Sequence, residues 1–211
     1  MQAWPVHRGA IEAFAHETGL RADAAHDVAH LARVVACAER LAMEEGASLD
    51  VVMPAAWLHD CVHVPVTSPD RPRASVMAGD AAVEFLSGVG YPDTHLDGIH
   101  HAIAAHSFSA RIAPLTVEAR VVQDADRLDA LGAIGIARCL MLGGQLGRTL
   151  YDVDDPFAER RAPSDAVSSI DHFYTKLLTL ADTMQTGSGR REARRRTDYM
   201  TAYLQQLRSE L

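Results

Sequence analysis

The sequence has few cysteines and no long hydrophobic run, and each absence excludes a class of protein. Its three cysteines, Cys37, Cys61 and Cys139, lie far apart and show no Cys-x-x-Cys spacing. They predict free thiols in a reducing compartment rather than a disulfide framework or a zinc knuckle. No stretch approaches about 18 apolar residues, so we expect no membrane partner. The first residues lack a basic segment followed by an apolar run, which predicts no secretory signal and a cytoplasmic protein.

A surplus of basic residues is also missing. The 211 residues carry a net charge of −8 with histidine neutral, whereas proteins that bind long nucleic acids usually show a basic surplus. We therefore expect no nucleic-acid polymer as a partner. A small anionic ligand stays open, because a few basic side chains and a metal ion can form one positive pocket on an acidic protein. The sequence is compatible with a monomer or a homodimer.

Apolar residues recur at helical spacing in nearly every segment, whereas the alternation typical of strands does not stand out. An example is the stripe through Leu31, Val34 and Leu41 in a helix predicted over about 26–45. Further helices are predicted over about 51–61, 74–86, 94–105, 116–142 (with a break near Asp126), 166–180 and 190–211, the last two separated by a connector at 187–189. The sequence thus predicts an all-α fold.

A change in the chain is marked by glycines at 143, 144 and 147 and by the polar, proline-interrupted residues that follow. We expect one domain over 1–211, with a core over about 20–143 and a C-terminal helical cap over about 144–211.

A histidine–aspartate pair, His59-Asp60, ends an apolar helix with the sequence AAWLHDCV. Successive side chains on a helix point about 100° apart, so both can reach one cation where the helix ends or bends. An isolated pair also fits a capping aspartate beside a half-buried histidine, and His26-Asp27 is a second pair of this kind. The pair alone therefore does not decide between a metal site and a structural role.

Other residues around the pair favour a metal site. His26 and His30 lie four residues apart and share a helix face with Arg33. A solvated face would more often carry Glu and Lys, so this stripe predicts a polar pocket that faces inward. Asp124 and Asp126 follow a short apolar run, and a buried carboxylate needs a cationic partner. Imidazole and carboxylate together suit Mn, Fe, Zn, Ni and, less well, Mg.

The order of these residues resembles the signature of the HD-domain metal-dependent phosphohydrolases. The pattern runs H-x-x-R-V from His30, then His59-Asp60, then D-A-D-R-L-D from Asp124. The resemblance implies an HD-domain helical bundle with one divalent ion (Mn, Mg, Co, Ni, Fe or Zn) held by His30, His59, Asp60 and Asp126. Asp126 is the chosen ligand because the family aspartate is followed by one residue and then a leucine, as in Asp126-Arg127-Leu128.

The chain resembles more closely the YpgQ/YedJ-like branch of these enzymes over about residues 20–210. The matching motifs are AHDVAH, HAIAAHSFSARIAPLTVEARVVQDADRLDALGAIG, DDPF and DHFYTKLL. The branch implies hydrolysis of nucleoside triphosphates to the monophosphate and pyrophosphate. Two alternatives stay open: a nucleotide phosphomonoesterase or phosphodiesterase, and a catalytically idle sensor of nucleotide or metal. The expected partner is a small phosphate compound that serves as the substrate, and we expect it to be a nucleotide.

Catalytic roles are predicted for Asp60 and Asp126, which can combine metal ligation with a contact to the attacking water, and for His26, which orients the site or contacts substrate. The candidate substrate contacts are Arg33, His101, His106, Arg127 and Lys176.

Each of the last four contacts has a competing interpretation. The two histidines, five residues apart, either contact phosphate, bind a second metal or are ordinary buried histidines. Arg127 either clamps phosphate or pairs with Asp124 or Asp129. Lys176, within the apolar run FYTKLLTL, either contacts phosphate or extends to solvent.

Overall fold

The structure is a computed structural model that describes residues 2–19, 28–65 and 68–211. Over these residues it contains nine α-helices and two short 3-10 helices and no β-strand, so the predicted all-α fold is confirmed. None of the helices in the described ranges is both long and apolar enough to cross a bilayer. The chain forms two compact units, Met1–Asp126 with Gln185–Gly189, and Arg127–Met184 with Arg190–Leu211.

The first unit contains most of the helices. They are α1 (Ala3–Gly19), α2 (Val28–Glu45), α3 (Leu49–Leu58), α4 (Ala74–Gly88), α5 (Asp93–His106) and α6 (Val117–Leu128), which runs two residues past the unit's end, with a 3-10 turn at Arg71–Arg73 before α4. Helix α3 is the centre of the unit, because it packs against α1, α2 and α5. Seven of its ten residues are buried, which explains why its sequence is almost entirely apolar.

A proline inside α3 is accommodated by a tyrosine from the loop before α5. Pro54 has no N–H, so the carbonyl of Asp50, four residues earlier, loses its helical partner. The buried Tyr91 hydroxyl donates a hydrogen bond to that carbonyl at 2.7 Å. The helix predicted over about 51–61 would place Pro54 in its first turn, where a missing N–H costs no hydrogen bond. That start is wrong, since the helix begins at Leu49 and the proline therefore removes one hydrogen bond that Tyr91 replaces.

The second unit contains α7 (Gly132–Gln145), α8 (Ser169–Thr175), a 3-10 helix (Leu177–Thr183) and all of α9 (Gly187–Ser209) beyond its first three residues. Helix α8 packs against α7 and against the 3-10 helix. The single helix predicted over 166–180 is wrong, because Lys176 adopts φ −139° and ψ −60°, which are not helical. Its backbone N–H donates to the carbonyl of His172 and closes α8 there.

Two other predicted boundaries differ from the structure. The break expected near Asp126 lies at 129–131, between α6 and α7. The connector predicted at 187–189 is wrong, because these residues form the first turn of α9. The division into a core over 20–143 and a cap over 144–211 stays a prediction.

Candidate metal centre

The histidine at the end of α3 has one ring nitrogen in a hydrogen bond to the backbone, whereas the other is available to a ligand. His59 follows the last residue of α3 and is 1% exposed. Its Nδ1 lies 2.8 Å from the carbonyl of Ala56. A carbonyl can only accept, so Nδ1 carries the hydrogen and the neutral ring presents its lone pair at Nε2. This buried Nε2 makes no aligned hydrogen bond with a described residue, which is the state expected of a metal-binding nitrogen.

The end of α5 repeats this arrangement. His106 is the last residue of the helix, is buried, and donates from Nδ1 to the carbonyl of Ile103 at 2.6 Å. Its Nε2 lies 3.6 Å from Oδ1 of Asp60, while Nε2 of His59 lies 3.4 Å from Oδ2 of the same carboxylate. The two imidazole rings meet edge to face, with centroids 4.9 Å apart. Asp60 therefore stands between two histidine nitrogens whose orientations are fixed by their own helices.

Side chains from two other helices hold the last turn of α5 in place. The hydroxyl of Ser75, in α4, donates to the carbonyl of Ala104 at 2.9 Å. The amide of Gln123, in α6, donates to the carbonyl of Ala105 at 2.6 Å. Together with His106 they satisfy three carbonyls that a helix end leaves without a partner. Sequence reasoning does not single out Gln123, although a glutamine within the apolar run before Asp124 is a signal for a buried polar contact.

Helices α2 and α6 bring two further donors to His59 and Asp60. Nε2 of the buried His30 lies 3.5 Å from Oδ1 of Asp126, and that oxygen lies 3.9 Å from Nε2 of His59. Donor atoms of His30, His59 and Asp60 all lie within 4.8 Å of one another. Metal–ligand bonds of about 2.0–2.2 Å place the donors of one ion about 3–4 Å apart. His30, His59 and Asp60 could therefore hold one divalent ion, and Oδ1 of Asp126 lies beside the two histidine nitrogens of this group.

The electrostatics of the site also favour a cation. Burial lowers the pKa of His59, but Asp60 and Asp126 outweigh it and raise the pKa from 6.5 to about 9. Burial raises the pKa of the Asp60 carboxyl, but His59 and His106 hold it well below its ordinary value. Helices α3 and α5 both end here, and a helix C-terminus carries partial negative charge. In the absence of a metal, a proton on His59 supplies the positive charge that the two carboxylates favour, and a divalent ion would displace that proton.

The two predicted histidines of α5 have different surroundings. His106 faces Asp60, as described above. Nε2 of His101, by contrast, accepts a hydrogen bond from the backbone N–H of Leu115 at 3.0 Å, in the loop between α5 and α6. The structure thus brings His106 to the carboxylate of the site, while His101 binds the loop backbone.

The remaining predicted contacts lie in different places. Arg33 is half-buried on α2. Arg127 belongs to the second unit, where its guanidinium donates to the carbonyl of Thr183 at 2.9 Å. Lys176, also in the second unit, is exposed just after α8. His26 lies outside the described residues. The substrate and catalytic roles of these four side chains stay predictions.

Residues 27–131 match the family model of the HD domain. The protein YpgQ of Bacillus subtilis (strain 168) is 37% identical over 190 residues, which are 88% of this chain and 84% of YpgQ. The chain belongs to the HD-domain family. The matched range includes His59-Asp60, and membership makes the chain a metal-dependent phosphohydrolase.

Solved structures share the fold of this HD domain over nearly their whole length. Bacillus subtilis YpgQ in complex with ADP has a TM-score of 0.74 and 33% identity, with 100% of this chain and 97% of that one covered. An HD-superfamily hydrolase of Bacillus thuringiensis has a TM-score of 0.76 and 32% identity, with 96% and 95% covered. The resemblance found in the sequence is confirmed.

Proposed function

We propose that this HD domain hydrolyses nucleoside triphosphates to the monophosphate and pyrophosphate, with one divalent ion held by His30, His59, Asp60 and Asp126. The observation that carries the proposal is the convergence of these four donors beside two helix C-termini, with the Nε2 of His59 left open. The ADP bound by Bacillus subtilis YpgQ supports a nucleotide as the ligand, because ADP presents the base, sugar and first two phosphates of a triphosphate.

The two carboxylates suit activation of a water molecule. Asp60 and Asp126 keep 38% and 28% of their side-chain surface exposed, so water and phosphate can reach them. Asp60 stays ionised because His59 and His106 lower its pKa. An ionised carboxylate accepts a hydrogen bond from the attacking water and orients it in line with the bond that breaks. A divalent ion would lower the pKa of that water and stabilise charge on the phosphate oxygens.

Hydrolysis between the α- and β-phosphates then requires few groups from the protein. The water oxygen bonds to the α-phosphorus, the bond from that phosphorus to the bridging oxygen breaks, and pyrophosphate leaves with the bonding electrons. The proton of the water passes to a carboxylate of the site. Most of the catalysis comes from the fixed positions of these groups and from electrostatic stabilisation.

We assign His106 to the substrate rather than to the first metal ion. Because Nδ1 is held by Ile103, only Nε2 can act towards the site, and it lies 3.6 Å from Asp60. A proton on Nε2 would let it donate to Asp60 or to a phosphate oxygen. Arg33 is proposed as a further phosphate contact, and the hydrogen bond from Leu115 makes His101 a residue that orders the loop after α5.

The test is turnover of a nucleotide panel by metal-stripped protein supplied with Mn²⁺, Mg²⁺, Co²⁺, Ni²⁺ or Zn²⁺, with pyrophosphate and orthophosphate resolved chromatographically. We expect metal-dependent release of pyrophosphate from triphosphates, lost in Asp126→Ala and kept in Asp97→Ala, an exposed carboxylate of α5. Orthophosphate from monophosphates would favour a phosphomonoesterase, and cleavage of a diester would favour a phosphodiesterase. Nucleotide binding without turnover under any metal would favour the sensor.

A further inference from the structure

A buried carboxylate two residues before Asp126 has a separate set of partners. Asp124 is fully buried in the first unit. It accepts hydrogen bonds from the backbone N–H groups of Gln185 and Thr186, both at 2.8 Å, and from the Thr186 hydroxyl at 2.7 Å. The Thr186 hydroxyl in turn accepts from the N–H of Gly189 at 2.9 Å. Residues 185–189 thus belong to the first unit, whereas the chain on both sides of them belongs to the second unit.

The chemistry of this contact explains why it forms in the interior. The N–H groups at a helix start have no helical partners and carry partial positive charge, so a carboxylate is favoured there. A buried carboxylate in turn needs hydrogen bonds, and those that involve a charge are about twice as strong as neutral ones. Glycine is required at 189, because a Cβ there would overlap Oδ2 of Asp124 and lie 2.8 Å from the Thr186 hydroxyl.

The same segment is also tied to α2. The backbone N–H of Ser188 donates to the carboxylate of Glu45, the last residue of α2, at 2.6 Å. Glu45 lies fifteen residues from His30 on that helix, which is about 22 Å at the rise of an α-helix. Asp124, in contrast, is about 3 Å along α6 from Asp126. Asp124 is therefore the anchor that acts directly on a predicted ligand, whereas Glu45 fixes the far end of α2.

Asp124 and Asp126 lie on the same helix, α6, so the contacts of Asp124 affect the position of Asp126. Two residues correspond to about 200° around a helix, so the two side chains leave α6 on nearly opposite sides. A side-chain tip about 6 Å from the helix axis moves by about 2 Å when the helix turns by about 20°. Such a movement is as large as a metal–ligand bond, and it would remove Oδ1 of Asp126 from its position 3.5 Å from His30 and 3.9 Å from His59.

We infer that Asp124 is a positioning residue of the metal centre: by binding Gln185 and Thr186 it fixes the rotation of α6 and so holds Asp126 at the distance that one divalent ion requires. The inference rests on the proposed function, because it assumes that Asp126 is a ligand. It concerns metal affinity, which can be measured without turnover.

The test compares Mn²⁺ binding, read from the spin-resonance signal of free Mn²⁺, in the full-length wild type, Asp124→Asn and Asp171→Asn. Asp171 is the matched control, since it is equally buried and accepts backbone and hydroxyl hydrogen bonds, but in the second unit. We expect Asp124→Asn to bind Mn²⁺ about tenfold more weakly, the lower end of the usual effect of groups that orient metal ligands, and Asp171→Asn to bind within twofold of the wild type.

A second pair of variants covers the case in which Asp124→Asn does not fold. Thr186→Val removes the hydroxyl that donates to Asp124 and should weaken Mn²⁺ binding at least threefold, whereas Thr186→Ser keeps the hydroxyl and should restore the affinity. Unchanged Mn²⁺ affinity in Asp124→Asn would overturn this inference but not the proposed function. If Asp124→Asn does not fold, unchanged affinity in Thr186→Val would do the same. An equal loss of affinity in Asp171→Asn would also overturn the inference. Absence of Mn²⁺ binding by the wild type would overturn the proposed function as well.

Discussion

The two units bury charge in different ways. In the second unit, Asp171 is fully buried and accepts hydrogen bonds from the Arg161 guanidinium, one of them at 2.9 Å, from the Ser164 N–H at 2.7 Å and from the Ser168 hydroxyl at 3.0 Å. In the first unit, Nε2 of His59 faces two carboxylates without an aligned hydrogen bond to any described residue. A buried charge whose partners are complete is structural, whereas one that still needs a cation marks a binding site.

The composition of each cluster explains the difference. Asp171 has Arg161, a permanent cation, as its partner. Asp60 and Asp126 have imidazoles, which are cationic only when a proton is bound. The cluster of the first unit can therefore exchange a proton for a metal ion, whereas the cluster of the second unit cannot. The following predictions test this contrast, from the largest expected effect to the smallest.

Replacement of a predicted ligand should have the largest effect. We expect Asp126→Ala to lower kcat/KM about 100- to 1,000-fold, the range found when a fixed electrostatic group is removed from an active site. Steady-state kinetics at saturating Mn²⁺ would measure it. Asp171→Asn, assayed at a temperature where it is folded, should stay within about threefold of the wild type. Similar losses of kcat/KM in Asp126→Ala and Asp171→Asn would contradict the distinction between the cluster of the first unit and that of the second.

The stability of the metal-free protein should fall as pH rises above neutrality. The pKa of His59 is raised from 6.5 to about 9 in the folded state, so its contribution is fully present below about pH 6.5 and is lost as pH rises through about 9. A shift of this size corresponds to at most about 3 kcal/mol.

Urea unfolding of stripped protein between pH 6.5 and 8.5 would measure this slope. Saturating Mn²⁺ or the substitution His59→Gln should remove it. A slope that is the same in stripped wild type and His59→Gln would contradict the assignment to His59.

Disruption of the cluster in the second unit should cost stability and not metal binding. Asp171→Asn keeps one acceptor oxygen but removes the nearest carboxylate from Arg161, which keeps the more distant Asp152 at 3.7 Å as an ion-pair partner. We expect a loss of about 2 kcal/mol in the free energy of unfolding, which is typical of hydrogen bonds to charged groups. Urea denaturation would give the loss, and the metal content of the purified variant should equal that of the wild type. Reduced metal content in Asp171→Asn would contradict the prediction that this cluster contributes to stability and not to metal binding.

Removal of His106 should have the smallest effect among these changes. Because His106 is proposed to contact substrate rather than the first ion, His106→Gln should lower kcat/KM about tenfold and leave one metal ion per chain. His100→Gln is the matched control on the same helix, since Nε2 of His100 binds Asp80 at 2.9 Å. A wild type with two ions and a His106→Gln variant with one would instead identify His106 as a ligand of a second metal.

Helical periodicity and the order of a few residues were enough to predict the fold class and the family. The stripe through Leu31, Val34 and Leu41 predicts α2, and all three residues are buried. The family pattern selects His30, His59, Asp60 and Asp126, whose donor atoms lie together in the structure. Their roles as metal ligands stay predictions until a metal is measured.

The remaining features depend on contacts between residues far apart in the chain. Periodicity cannot show that His106 faces Asp60, because this depends on how α5 packs against α3. Nor can it distinguish a glycine that gives flexibility from one that allows close approach. Residues 187–189 read as a connector for this reason, whereas Gly189 is small because the Asp124 carboxylate lies against it. The partners of Asp124 are about sixty residues away in sequence and leave no local pattern.

The most direct test of the account is a titration of metal-stripped protein with Co²⁺, followed by its visible absorption, in wild type, His59→Gln and Asp171→Asn. The account predicts one tightly bound Co²⁺ per chain in the wild type and in Asp171→Asn, and none in His59→Gln. Absence of tight Co²⁺ binding by the wild type, or an unchanged spectrum and affinity in His59→Gln, would contradict the claim that the first unit contains the metal centre.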